Sequence, residues 1–308
     1  MSTLKNRSVP TASDQQKNAS PIRRRLYTHN EIPKWQQDNH YILDGYVKQT
    51  NSLHRCFESL FYIHNESGNI HSHLFPGLAA SAALCTSFCY FDRLFPVYPT
   101  TTHTDKFVLS LFMCGLISCL TLSATYHCIK CHSPAVSVRF NKLDYVGIIG
   151  LTSTSMTSII YYSFIDLPVA YHASFFTMIG AFSLGCFVMS VDSRFRRPEW
   201  RPTRAAMFIM FGLTSIFPIF VGIIKFGLEN TWKRSLLTWV LGEAVLYISG
   251  AVLYALRWPE RQAPGKFDYF GHSHQIFHVM VVLAAASHAT GLYKCYQYCH
   301  EVTLATGM

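Results

Sequence analysis

The chain has 308 residues, half of them from the set AVILMFWYC, only 14% Asp, Glu, Lys or Arg, and a formal net charge of +9. A soluble domain is roughly 25% charged, so an ordinary soluble enzyme is excluded, along with a disordered chain, a collagen and a small disulfide scaffold. The charges leave uncharged gaps at 67–91, 107–129, 145–165, 167–191, 205–224 and 269–293, and a seventh at 235–256 broken only by Glu243.

Each gap meets the requirement of about 20 largely apolar residues for a helix that crosses a bilayer. Strands of a membrane barrel are about ten residues long with strict alternation. These segments are continuous and rich in aromatics. The expected fold is therefore all-α, a seven-transmembrane helix bundle. Its divisions are an amino-terminal arm (1–65), the seven-span domain (66–300) and a short tail (301–308).

In chain order, residues 1–22 are mostly polar and read as an adaptable arm. Residues 29–63 mix Trp35, Tyr41, Tyr46, Phe57 and Phe61 with polar residues, a pattern for short helices lying on the membrane surface. Residues 1–60 contain no apolar core of a cleaved signal, so the first span directs insertion itself. Span 1 opens with Glu66-Ser67-Gly68-Asn69-Ile70-His71-Ser72-His73, and span 2 ends with Ser123-Ala124-Thr125-Tyr126-His127. A CxxC follows, Cys128 and Cys131, flanked by His127 and His132. A four-ligand structural zinc site needs a second such pair, and the sequence has none. Span 3 places Asp144 in its first turn. Span 6 carries Glu243 near its middle, where it lines a cavity, pairs with a neighbour or sits protonated. Span 7 opens with Gly271-His272-Ser273-His274-Gln275-Ile276-Phe277-His278. Cys295 and Cys299 near its far end have a spacing open to a disulfide. Cys85, Cys89, Cys114, Cys119 and Cys186 fall inside spans, where Cys acts as a small apolar residue.

Basic residues set the orientation. Nine Lys and Arg precede span 1, three lie between spans 2 and 3, five between spans 4 and 5, and three between spans 6 and 7, leaving six of the 26 for the other side. The positive-inside rule then predicts a cytosolic amino terminus and an extracytosolic carboxyl terminus, the reverse of G-protein-coupled receptors. No basic–aromatic module accompanies the charge, so nucleic acid is not an expected partner.

Ionisable groups within spans are costly and are functional candidates by default. Topology puts the four polar sets, from spans 1, 2, 3 and 7, in one leaflet. His274 and His278, four apart, share a helix face, as do Ser123 and His127. Three neutral imidazoles from two helices with an open fourth position describe a catalytic-type zinc site, with His127, His274 and His278 as ligands. Asp144 is placed to hydrogen-bond a metal-bound water or to orient a ligand histidine. His103, His172, His288 and His300 read as interfacial side chains. His272, a candidate fourth ligand, reads as solvent-exposed at the edge of span 7.

These strings resemble the progestin and adiponectin receptor family, which is linked to hemolysin III. The resemblance covers roughly residues 22–300, and GHSHQIFHV is its most specific string. LYTHNEIPKWQQDNHYILDGYVK and FRRPEWRPTRA are similar to its fungal branch, implicated in zinc and lipid homeostasis. The resemblance implies that His127, His274 and His278 bind zinc, with Ser123 and Asp144 near the bound water. One departure is His71, where the family often has an aromatic residue.

Two functional readings follow. One is a zinc-binding receptor-like protein with lipid amide hydrolase activity, similar to the ceramidase activity suggested for the family. In it Asp144 relays the proton and Ser123 helps to hold the oxyanion. The other is a signalling receptor with purely structural zinc. A zinc transporter is weaker, because the ligand candidates gather at one end. Expected partners are a membrane lipid (a ceramide, fatty acid or sterol-like molecule), an extracellular protein ligand and a cytosolic signalling partner. The expected location is the plasma membrane or the endoplasmic reticulum.

Overall fold

The computed structural model describes residues 26–303. The polar arm of residues 1–22 and the last residues of the tail, 304–308, lie outside the described residues. Among the described residues the structure is helical throughout, apart from turns and an isolated antiparallel bridge between Tyr27 and Tyr46. A short helix α1 (Leu53–Glu58) precedes the spans. These are α2 (Ser67–Leu94), α3 (His103–Ile129), α4 (Pro134–Ser163), α5 (Val169–Val191), the pair α6 (Arg201–Leu213) and α7 (Ile216–Arg234), α8 (Leu237–Leu256) and α9 (Ser273–Tyr298). Seven segments are long and apolar enough to cross a membrane, with α6 and α7 together making the fifth.

Several helix starts depart from the charge gaps, because charge marks the edge of the bilayer and not the end of a helix. α4 begins at Pro134, a residue suited to the first helical turn, and carries Arg139 and Lys142 within it. Asp144 is therefore deep in the third turn and not in the first. α6 begins at Arg201, so Arg201 and Arg204 belong to span 5 and not to the preceding loop. α9 begins at Ser273, four residues later than the gap. Gly271 there has φ +82°, a conformation glycine adopts without penalty. The buried Glu260 accepts from Ser273 N at 2.7 Å and Ser273 Oγ at 2.6 Å, placing a carboxylate at the positive end of α9.

α3 lies along α4 and α2, while α9 packs against α2, α3, α4, α7 and α8. Phe112, Leu151, Tyr162, Val281, Leu292 and Tyr296 form a core between α3, α4 and α9. A second core, with Phe175, Ile179 and Phe211, joins α4, α5 and α6. α3 and α4 approach so closely at Gly147 that a Cβ there would sit 2.9 Å from Cys119 Cα. Phe88, Phe107, Leu184, Phe220 and Val245 point outward, as side chains do where lipid is the solvent. Together with the seven apolar helices, this makes the chain an integral, multi-pass membrane protein.

The segment before span 1 differs from the expected run of surface helices. It is mainly turns, with single 3-10 turns at His29–Glu31, Lys34–Gln36 and Ser59–Phe61 and a small core of Ile32, Ile42 and Tyr46. Leu43 N donates to Asp268 Oδ1 at 2.8 Å, Thr50 N to Cys131 O at 3.0 Å and Asn39 Nδ2 to Glu260 Oε1 at 3.1 Å. These bonds make it a cap docked on the end of the bundle. α1 and the turn after it keep an outward apolar face, through Leu53, Phe57 and Phe61. The cysteines, including Cys295 and Cys299, are free.

Candidate metal centre

His127 stands in the last turn of α3, and His274 and His278 stand in the first two turns of α9. Their ligand nitrogens all lie within 4.8 Å of one another, with His127 and His278 buried and His274 partly so. The three rings are mutually near-perpendicular, with centroids 4.8 Å apart. Among the described residues this is the one group of three or more His, Cys, Asp or Glu side chains able to hold a metal ion.

The surroundings orient the rings. His127 Nδ1 is 2.7 Å from Glu66 Oε2, and His278 Nδ1 is 3.0 Å from the carbonyl oxygen of Asn69. Both partners are acceptors, so each Nδ1 carries the proton and each Nε2 keeps its lone pair. His127 Nε2 is buried without a hydrogen-bond partner, which costs free energy unless another group meets it. Two imidazoles held by outer partners, and three imidazole nitrogens converging with no fourth His, Cys, Asp or Glu in the group among the described residues, fit a transition-metal ion such as Zn2+. The residues present therefore suit the group.

Glu66 is the hub of this arrangement. It also accepts from Lys130 Nζ at 2.7 Å and from Asn69 Nδ2 at 2.6 Å. Burial works against its charge, but Lys130 and His127 hold the carboxyl well below the usual carboxylate range. Burial likewise disfavours the charge on Lys130, and Glu66 outweighs it, so its pKa is raised. Asp144 is buried on α4, hydrogen-bonds Ser123 and faces His127. It stands outside the mutually close ligand group.

Other histidines correct the sequence reading. His272 is buried, with Nε2 3.2 Å from Asn65 O, because the docked amino-terminal cap covers the end of α9. Burial depresses its pKa, and it is not in the triad. His288 is buried and paired with Glu243 at 2.7 Å, and His300 is buried beside Thr100 and Asp105. Both side chains are packed inside the protein and face protein partners. Sequence reasoning missed the roles of Glu66 and Asn69. It also missed His73, whose ring stacks on His278 at 3.8 Å, and Tyr254, edge-on to His274 with Arg201 over its face at 3.9 Å. The CxxC gains a partner the spacing gave no sign of, since Cys131 Sγ lies 3.5 Å from Cys56 Sγ.

The fold and site define a seven-helix membrane protein with a histidine centre buried near one end of its bundle. The chain belongs to the Haemolysin-III related family, whose pattern matches residues 61–289. It is 46% identical to "ADIPOR-like receptor IZH2" of Saccharomyces cerevisiae over 92% of this chain and 87% of that one. It is 37% identical to "Adiponectin receptor protein" of Drosophila melanogaster, over 88% of this chain and 59% of that one. It is also 34% identical to "Heptahelical transmembrane protein 1" of Arabidopsis thaliana, over 86% and 80%. The protein is thus a membrane receptor-like member of this family.

Proposed function

We propose that this protein binds zinc through His127, His274 and His278, serves lipid and zinc homeostasis, and hydrolyses a lipid amide. The observation that carries the reading is the convergence of three imidazoles, two of them oriented by outer partners, beside a buried Asp144–Ser123 pair. The basic residues gathered at the metal end make that face the cytosolic one.

A zinc ion held there supplies a Lewis acid for a carbonyl and lowers the pKa of coordinated water toward 7. The chain's own groups do the rest. Glu66 and the Asn69 carbonyl keep the two Nδ1 protons in place, so the Nε2 lone pairs stay directed inward. Asp144 takes a proton from the attacking water and returns it to the leaving nitrogen as the carbon–nitrogen bond breaks, giving a fatty acid and an amine. The Ser123 hydroxyl donates to Asp144 and fixes its orientation. The bundle and its docked cap bury His127 and His278, and the surrounding helices offer apolar surface to an acyl chain. The substrate class is an amide-linked lipid of the ceramide type.

Purified wild type, Asp144→Asn and His278→Ala are assayed for zinc content and for fatty-acid release from ceramide. The reading expects His278→Ala to lose both, and Asp144→Asn to keep zinc and lose about 100-fold or more in release, as for removal of a general base. Full release from Asp144→Asn would remove Asp144 from the mechanism, whereas no release from zinc-loaded wild type would leave the signalling reading, in which the centre only ties α2, α3 and α9 together. That reading draws on the bonds from Glu66 and Asn69 to the ligand histidines.

A further inference from the structure

A second polar cluster lies deep in the bundle. Glu243 on α8 and His288 on α9 share a hydrogen bond of 2.7 Å between Oε2 and Nδ1, with side chains 16% and 2% exposed. Tyr247 stands one turn along α8 from Glu243 and packs on the core that holds Phe112 and Cys119. Phe112 closes the cluster from α3, with its ring 4.7 Å from that of His288. Two buried atoms here, His288 Nε2 and Tyr247 Oη, have no hydrogen-bond partner. In hydrocarbon each unmet polar group costs several kcal/mol, so the cluster is built to meet a polar group. His288 lies ten residues beyond His278 on α9, or about 15 Å along the axis.

We propose that Glu243, His288 and Tyr247 form a site for the hydroxyl of a lipid whose head lies at the histidine centre. The proposal rests on the reading of the bundle as lipid-binding. With the proton of Nδ1 donated to Glu243, Nε2 accepts, and the Tyr247 hydroxyl is free to donate. A ligand hydroxyl both donates and accepts, so it suits either atom, whereas a carbonyl suits only Tyr247. A charged group would bring an uncompensated charge to the middle of the membrane. At about 1.2 Å per bond of extended chain, the 15 Å separation corresponds to about twelve bonds. The ligand class is therefore a long-chain lipid hydroxylated about a dozen carbons from its head.

The test uses the full-length protein with its metal, and calorimetric binding of three probes. These are a plain long-chain fatty acid, the same chain hydroxylated about twelve carbons from the head, and the chain hydroxylated beside the head. Wild type is expected to prefer the distal hydroxyl about tenfold over the other two. Tyr247→Phe, which removes a single oxygen, and Glu243→Gln should bring that preference close to one, with plain-chain affinity within about twofold and metal content unchanged. Equal binding of the three probes by wild type, or a preference that survives both substitutions, overturns this site alone. Failure of wild type to bind any probe overturns the lipid reading beneath it.

Discussion

Replacing Glu66 by Gln perturbs the centre without touching a candidate ligand. The carboxylate takes hydrogen bonds from His127 at 2.7 Å, Lys130 at 2.7 Å and Asn69 at 2.6 Å, and its side chain is 18% exposed. Gln keeps the shape but removes the charge and turns one acceptor into a donor. If its NH2 faces His127, Nδ1 must accept and the proton moves to Nε2, where it blocks coordination. If the NH2 faces Lys130, two donors meet. Losing an outer partner of a metal-bound histidine lowers metal affinity by 10–100-fold, or about 1.4–2.7 kcal/mol. Competition against a chelator of known zinc affinity measures this, with a thermal melt to show that the fold is intact. A folded Glu66→Gln protein that binds zinc within about twofold of wild type would refute the idea that Glu66 orients His127.

Two further substitutions probe the fold around the centre. Gly147→Ala drives a Cβ to 2.9 Å from Cys119 Cα and 3.3 Å from Ser118 O, backbone atoms that cannot swing aside. It should lower stability by about 1–3 kcal/mol, whereas Gly150→Ala, with nothing within 4 Å, should be neutral or stabilising; equal melting temperatures for the two variants would contradict the close α3–α4 contact. Burial pushes His64 down to about 4, below its unfolded value of about 6.5. The folded state then holds fewer protons, so stability present above pH 6.5 is lost as pH falls toward 4, by about 2 kcal/mol at pH 5. His64→Asn keeps an acceptor for Glu66 N–H and should flatten this acid limb when both proteins carry His278→Ala to exclude metal loss; parallel pH curves would show that His64 does not titrate in this way.

The seven spans were legible because charge is excluded from hydrocarbon, and the gaps between charges measure the bilayer directly. Helix ends were not. Arg139, Lys142, Arg201 and Arg204 continue their helices outside the apolar layer or into a polar pocket, where composition no longer reports secondary structure. His274 and His278 were readable from their spacing, and His127 from its leaflet. The orienting partners were hidden for physical reasons. Asn69 acts through its backbone carbonyl, which leaves no mark in sequence, and Glu66 is joined to His127 across 61 residues. The pairing of Glu243 with His288 shows the same limit, since each alone resembles an isolated polar residue. The docked cap over the bundle end, held by Asp268 and Glu260, also explains why His272 is buried where a helix edge predicts exposure.

The most direct test of the account is the metal content of the purified protein, measured by mass spectrometry beside His127→Ala and His278→Ala. The account predicts about one zinc per wild-type chain and little in either variant. Wild-type protein prepared without chelators that carries no zinc, or variants that carry as much as wild type, would contradict it.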